Sequence, residues 1–194
     1  FGVKLQAYPE EIVLCLATMR LKRPIRWLED RWEHFVSTSH GREQEHEITA
    51  GYDDDGVILG LRDHAWTDTG AYLALLTLVE PFIGVAMVRG MYRIPNFEGR
   101  STVVMTNKTP MNPFRGVGHI QAAQAMDGLM DGIARERGLD PAEVRRRNML
   151  RPDELPLRLG VGNVLAGEVC YDSGDFPECL RRALEASGYE AFRA

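Results

Sequence analysis

The stretch from His119 to Arg137 is the sequence feature that most constrains what this chain folds into. Its apolar side chains recur every three or four residues and form one stripe, made of Ala122, Met126, Leu129, Met130 and Ile133. Gly138 follows directly and suits the end of a helix. Because such a helix must bury its stripe against other elements, the stretch predicts a globular domain packed around it.

Three further helices are predicted. The first covers residues 8–23, with Pro9 in its first turn and Pro24 directly after it. Its apolar residues share one face, which we expect to be buried: Ile12, Cys15, Leu16 and Met19. A short helix follows Asp140, and another covers residues 175–188, because both begin with capping residues and a proline that fits the first turn.

Residues 43–66 predict a β-hairpin. Extended segments at 43–52 and 57–66 flank the sequence Asp53-Asp54-Asp55-Gly56. The acidic cluster lacks the ligand spacing and the terminal glutamate of an EF-hand, so we interpret it as a turn that ends at Gly56 and not as a calcium loop. Further strands are predicted at 25–28 and 101–106, and the apolar residues 70–88 predict either a short helix or buried loops.

These elements predict an α+β fold: a mixed or antiparallel sheet, made of the hairpin and the strand near Val103, with helices packed on it. Residues 1–194 are taken as one partial domain. A long loop is predicted over 151–167, before a C-terminal helical segment at 168–194. The chain starts at Phe1 without a leader, so we expect it to be an interior piece of a larger protein.

Composition narrows the classes of partner. Acidic residues outnumber basic ones 28 to 23, for a net charge of −5, which disfavours nucleic acid and favours small molecules or proteins. The three cysteines are too few and too far apart for a zinc site or an iron–sulfur cluster, and Cys15 is expected to be a small buried hydrophobe. No apolar stretch is long enough to span a membrane. We expect a cytoplasmic location, with the periplasm as the alternative.

Two glycine-containing junctions are candidates for ligand contact, Phe1-Gly2-Val3-Lys4 and Phe114-Arg115-Gly116-Val117-Gly118. Glycine permits close backbone approach, and the N-terminus of a helix offers unpaired N–H groups to an anionic or oxo ligand. Either junction alone indicates only a tight turn. By itself, Arg115 is best explained by an ion pair with a carboxylate.

In order along the chain, these junctions and their surroundings resemble the xanthine dehydrogenase/aldehyde oxidase family, including the large subunits of carbon-monoxide dehydrogenases. The matching motifs are Phe1-Gly2-Val3-Lys4, Tyr8-Pro9-Glu10-Glu11, Arg23-Pro24-Ile25-Arg26-Trp27-Leu28-Glu29-Asp30-Arg31, Asp68-Thr69-Gly70-Ala71-Tyr72, Tyr92-Arg93-Ile94-Pro95-Asn96, Thr106-Asn107, Phe114-Arg115-Gly116-Val117-Gly118, Asp140-Pro141, Arg147-Asn148 and Tyr171-Asp172-Ser173-Gly174. An ordered match over this span is far more specific than any single motif.

The resemblance implies a molybdenum–pterin cofactor. It assigns cofactor contacts, largely through backbone, to Phe1, Gly2, Phe114, Arg115, Gly116 and Gln121. Oxo and dithiolene groups accept hydrogen bonds, and amides fixed at the ends of loops can donate them with little reorganisation. No residue of the chain is expected to ligate the metal directly.

The resemblance also implies an activity, namely hydroxylation of a small aldehyde, an N-heterocycle or a related substrate with oxygen from water, or oxidation of carbon monoxide. Electrons then leave through iron–sulfur clusters and FAD on partner subunits or domains. The family's catalytic glutamate belongs to a later glycine-rich segment with no counterpart here. We therefore assign no catalytic residue to the chain and expect it to be inactive alone. Glu10 and Glu11 have a sufficient role at the start of a helix.

Departures from the family pattern bear on the substrate. Ile83 stands at the position of the substrate-binding arginine of purine oxidisers, Val117 at that of an aromatic residue, and Leu5 at that of an acidic residue. These three residues are the predicted substrate-pocket residues, and they disfavour a purine. A non-catalytic folding or subunit-docking module is the alternative function. A metal-dependent hydrolase built on Asp53–Asp55 has no His or Glu partner at ligand spacing.

Overall fold

The computed structural model describes residues 7–74, 76–163 and 167–193. The helices are α1 (Pro9–Leu21), α2 (Arg31–Ser37), α3 (Val79–Ala86), α4 (His119–Arg137), α5 (Pro141–Asn148), α6 (Phe176–Ser187) and α7 (Tyr189–Arg193), with a short 3-10 helix at Pro152–Glu154. The strands are β1 (Gln44–Tyr52), β2 (Ile58–Asp68), β3 (Phe97–Val104), β4 (Leu157–Asn163) and β5 (Gly167–Tyr171). The α+β class is confirmed.

The main sheet is mixed, with the strand order β1-β2-β3. Strands β1 and β2 pair antiparallel across the predicted turn, whereas β2 and β3 pair parallel. Parallel strands need a crossover connection, and α3 lies in that crossover and packs on both β2 and β3. The predicted mixed sheet is therefore confirmed, and the crossover fixes α3 against it.

The turn between β1 and β2 is stabilised by Asp53, whose Oδ1 accepts hydrogen bonds from the backbone N–H groups of Asp55 and Val57 at 3.0 and 2.9 Å. Gly56 has a φ of 76°. A Cβ at Gly56 would lie 3.3 Å from Ile133 of α4, so the turn packs closely on that helix. The acidic cluster is thus a turn, as predicted from its sequence.

Helix α4 provides much of the core. Ala122, Met126, Met130 and Ile133 are each no more than 2% exposed, and Leu129 is partly buried. They pack in one cluster with β2, the end of the crossover, and α5: Ile58, Leu61, Val88, Tyr92, Ile94, Val144 and Met149. The predicted stripe is therefore confirmed as core, and it holds the start of α4 next to α3.

Helix α1 forms where predicted, but it has no buried residue among those described. Ile12, Leu16 and Met19 are 57%, 60% and 73% exposed, and Cys15 is exposed as well. The expectation that Cys15 is a buried hydrophobe is wrong, because no described element packs on this face of α1. Among the described residues, no helix is long and apolar enough to cross a membrane.

Two other predictions need correction. No strand forms at 25–28, where Leu28 is 77% exposed, and α2 begins shortly afterwards at Arg31. The long loop predicted over 151–167 is wrong in its described part, because the 3-10 helix and most of the β4–β5 hairpin lie there. The segment 168–194 is helical only from Phe176, since β5 extends to Tyr171.

Candidate functional site

The segment 114–118, hereafter the FRG loop, leads directly into α4. Gly116 and Gly118 both have a left-handed backbone, with φ of 82° and 70°. A Cβ at Gly118 would lie 2.5 Å from the backbone N of Gly84 and 2.8 Å from the carbonyl carbon of Ile83. Only glycine fits such a position, so the FRG loop rests on α3 with no intervening side chain.

The backbone of the FRG loop is rich in hydrogen-bond donors. The N–H groups of Gly116, Val117 and Gly118 find no acceptor among the described residues. Gly118 is the N-cap of α4 and has no side chain to cap the helix. These N–H groups directly precede a 19-residue helix, whose positive end favours an anionic or oxo acceptor.

Arg42 supports the FRG loop from the side, and sequence reasoning missed it. Its Nη2 donates a hydrogen bond to the carbonyl oxygen of Arg115 at 2.5 Å. Its Cζ lies 5.0 Å from the centroid of the Phe114 ring, within cation–π range. No local pattern in the sequence could have indicated this residue, because it precedes Arg115 by 73 positions.

Glu80 of α3 lies beneath the FRG loop and is fully buried. Its Oε1 accepts hydrogen bonds from the Arg42 backbone N–H at 2.6 Å and from Nε2 of Gln121 at 2.5 Å. Burial raises the pKa of Glu80, while these two donors and the Phe114 backbone oppose the rise. A carboxylate in this position joins three segments that are distant in sequence.

Gln121, a predicted cofactor contact, is 8% exposed and belongs to this buried cluster. Its Nε2 is used by Glu80, whereas its Oε1 is buried without a hydrogen-bond partner among the described residues. A buried amide oxygen is costly to leave unpaired. The amide of Gln121 is therefore placed to receive a donor from outside the described residues.

The remaining predicted residues fall into three groups. Arg115 and Gly116 are exposed at the tip of the FRG loop, and Phe114 and Val117 are partly exposed. Ile83 is 5% exposed, beneath Gly118. Phe1, Gly2 and Leu5 lie outside the described residues. The structure thus brings Phe114, Arg115, Gly116, Val117, Gln121 and Ile83 into one region.

Glu11 has a structural role, as predicted. Its Oε2 accepts a hydrogen bond from the Tyr8 backbone N–H at 3.0 Å, in the capping box of α1. Within residues 7–74, 76–163 and 167–193, no group of three or more His, Cys, Asp or Glu side chains is arranged to hold a metal ion.

A largely apolar cavity of about 490 Å³ opens beside the first turns of α4. Its walls include Met87, Tyr92, His119, Met126, Tyr171 and Phe176. Nδ1 of His119 lies 2.9 Å from the carbonyl oxygen of Val117, which places this cavity next to the FRG loop. Neither Ile83 nor Val117 lines it, so the cavity is separate from the predicted substrate-pocket residues.

The fold and the FRG loop define an α+β domain that offers backbone donors to an anionic group. The model of one family, described as the molybdopterin cofactor-binding domain, matches residues 1–149. The chain belongs to this family. The match covers the FRG loop, Arg42 and Glu80, and it ends at the residue after α5.

Relatives with known activities align over nearly the whole chain. The chain is 36% identical, over 97% of its length, to the gamma subunit of the 6-hydroxypseudooxynicotine dehydrogenase complex of Paenarthrobacter nicotinovorans, and 38% identical, over 99%, to the nicotine 6-hydroxylase large subunit of the same organism. The crystal structure of quinoline 2-oxidoreductase from Pseudomonas putida 86 matches the whole chain with a TM-score of 0.89 and 37% identity. The chain spans 24%, 23% and 24%, respectively, of the lengths of these proteins.

Proposed function

We propose that this chain forms part of the large subunit of a molybdenum hydroxylase and that its FRG loop binds the molybdenum–pterin cofactor. The observation that carries the proposal is the run of N–H groups at Gly116, Val117 and Gly118, which find no acceptor among the described residues and directly precede the positive end of α4. The family match over residues 1–149 supports it independently. When bound, the cofactor supplies two-electron oxidation of a substrate carbon, with water as the source of the oxygen atom.

The residues present fit such a group. Oxo, dithiolene and phosphate groups accept hydrogen bonds, and the FRG loop offers backbone donors already fixed by contact with α3. The guanidinium of Arg115 is exposed beside them and adds positive charge. Gln121 differs from these donors, because its buried amide oxygen, which has no hydrogen-bond partner among the described residues, can only accept and therefore suits an N–H group of the pterin. In this proposal Phe114, Arg115, Gly116 and Gln121 hold the cofactor together with Phe1 and Gly2.

We infer that the substrate is an N-heteroaromatic compound. Two relatives are named for such substrates, a nicotine 6-hydroxylase and a quinoline 2-oxidoreductase. Apolar Val117, partly exposed in the FRG loop, agrees with a flat, weakly polar ring better than with a purine, which needs polar partners. The chain's part in turnover is to bind and orient the cofactor, since the FRG loop offers donors and a guanidinium but no general base.

We also infer that electrons leave the site through iron–sulfur and FAD centres on partner subunits or domains. The name of one relative, a subunit of a dehydrogenase complex, supports an assembly with several chains. An alternative function as a docking module is favoured by the exposed apolar face of α1. The two functions are compatible, because a cofactor-binding subunit also needs a surface for its partners.

The test uses the full-length protein purified with its natural partners. Molybdenum and pterin are measured per polypeptide, and quinoline and nicotine are supplied with an artificial electron acceptor in ¹⁸O-labelled water. We expect both cofactor components to be present and the label to enter the hydroxylated product. A preparation without molybdenum and pterin, made under conditions that load related enzymes, contradicts the proposal. Benzaldehyde as a parallel substrate separates an aldehyde oxidase from a heterocycle hydroxylase.

A further inference from the structure

We propose that Arg42 is a positioning residue that fixes the FRG loop against α3, with Glu80 as its anchor. This inference rests on the proposed function in one respect, namely that the FRG loop faces the cofactor. The contacts by which Arg42 and Glu80 hold the FRG loop in place do not depend on the proposed function. Neither residue belongs to the set assigned from sequence.

The guanidinium of Arg42 contacts two consecutive residues of the FRG loop. Nη2 donates to the carbonyl oxygen of Arg115, and Cζ lies over the ring of Phe114, 5.0 Å from its centroid. A planar guanidinium can stack and donate at the same time, whereas the ammonium of a lysine is a point charge. Two contacts of different kinds fix both the position and the orientation of the loop.

Arg42 is itself held in place through its backbone. Its backbone has a φ of 76°, in the left-handed region that side chains other than glycine rarely adopt. Its N–H donates to the buried Oε1 of Glu80 at 2.6 Å. Such a backbone persists where the surroundings determine it, and here the surrounding group is a fully buried carboxylate.

The segment before Arg42 runs beside the segment before the FRG loop. The backbone N–H of His40 donates to the carbonyl of Pro110 at 2.9 Å, and the N–H of Asn112 donates to the carbonyl of His40 at 2.8 Å. A Cβ at Gly41 would lie 3.2 Å from the carbonyl oxygen of Asn112. These contacts join the two segments, and the side chain of Arg42 continues from them to Phe114 and Arg115 of the FRG loop.

Arg42 and Gln121 both donate hydrogen bonds to Glu80. The same oxygen that accepts from Arg42 accepts from Gln121, in the first turn of α4. Glu80 thereby joins two residues that flank the FRG loop: Arg42, which lies beside it, and Gln121, which follows it in α4. Nη1 of Arg42 is also buried without a hydrogen-bond partner among the described residues, so the guanidinium retains capacity for an acceptor from outside them.

The test compares Arg42→Lys and Phe114→Leu with the control Arg62→Lys, all in the full-length protein with its partners. Arg62 also pairs with a neighbouring side chain, Glu98, but it is exposed and lies on β2. Three readouts are taken: hydrogen exchange of the hydrogen-bonded amides of Asn112, His119 and Ala122, which flank the FRG loop, the electron paramagnetic resonance spectrum of Mo(V), and kcat with KM. Phe114→Leu removes the ring that Arg42 faces and keeps the backbone of the FRG loop, so its hydrogen exchange keeps the test valid if the Arg42 variant does not fold.

We expect Arg42→Lys to speed exchange at these flanking amides, to alter the Mo(V) spectrum and to lower kcat about 10- to 100-fold, with a smaller change in KM. Phe114→Leu has the same effects in smaller size, and Arg62→Lys has none. The inference is overturned if a folded Arg42→Lys variant exchanges at the wild-type rate. It is also overturned if that variant keeps the wild-type Mo(V) spectrum and kcat. Faster exchange in a protein whose wild type holds no molybdenum or pterin supports the positioning by Arg42 and contradicts only the proposed function.

Discussion

The substitution Gly118→Ala tests whether the FRG loop is seated rigidly on α3. A left-handed backbone costs a residue with a Cβ about 1–2 kcal/mol. The new methyl would lie 2.5 Å from the backbone N of Gly84, and overpacking of this kind costs about 1–3 kcal/mol. We therefore expect the free energy of unfolding to fall by about 2–5 kcal/mol, a large part of the typical 5–15 kcal/mol of a domain.

The matched control is Gly138→Ala, at the other end of α4. Gly138 has a φ of 65°, close to that of Gly118, but a Cβ there meets nothing within 4 Å. The control thus carries only the backbone cost of about 1–2 kcal/mol. Urea unfolding followed by circular dichroism measures both variants, and their difference isolates the contact with α3.

The result that would refute this reasoning is equal destabilisation by the two substitutions. It would mean that α3 moves aside without cost, and the FRG loop would then not be held rigidly. We expect instead a difference of about 1–3 kcal/mol. In the loaded protein, Gly118→Ala should also lower the molybdenum content, because displacement of the loop moves the donors at Gly116 and Val117.

Further predictions concern the support of the site. Asn148 is fully buried, and its side-chain oxygen accepts a hydrogen bond from the Ile58 N–H at 2.8 Å. Asn148→Ala should therefore lower the free energy of unfolding in urea by about 1–3 kcal/mol, and a smaller decrease would contradict this role. The guanidinium of Arg93 lowers the pKa of Glu154 to about 2, so their ion pair stabilises the fold fully above the ordinary pKa of 4.5, and this stabilisation is lost as pH falls towards 2. The variant Arg93→Gln should therefore lose less stability than the wild type between pH 4.5 and 2, and an equal loss in both proteins would refute the pairing. The side chain of Asp140 accepts hydrogen bonds from two N–H groups at the start of α5. Asp140→Ala should lower the free energy of unfolding by about 0.5–2 kcal/mol and with it the melting temperature, and an unchanged melting temperature would contradict the cap.

Local patterns were sufficient where one element determines its own structure. Helix α4 could be predicted with its bounds, because its stripe has helical spacing and Gly138 ends it. The turn at Asp53–Gly56 was equally clear. The strand predicted at 25–28 is wrong because alternation alone does not supply a pairing strand, while Asp30 and Glu33 form a capping box that starts α2.

The site was predictable only in part, for a physical reason. The FRG loop combines glycines with the start of a strong helix, and both signals lie in one short stretch. Arg42 and Glu80 act through contacts across 73 and 38 positions, which no local pattern contains. The family resemblance also gave no indication of them, since it pointed to residues facing the cofactor and not to those beneath.

The parallel pairing of β2 with β3 has a consequence for the order of events during folding. The crossover between them carries Glu80, which must meet Arg42 from before the hairpin and Gln121 from after β3. Contacts of such long range form late and slowly, since loop-closure entropy is lost before they are made. We therefore expect the donors of the FRG loop to acquire their final positions late in folding, and cofactor insertion to follow folding of this domain.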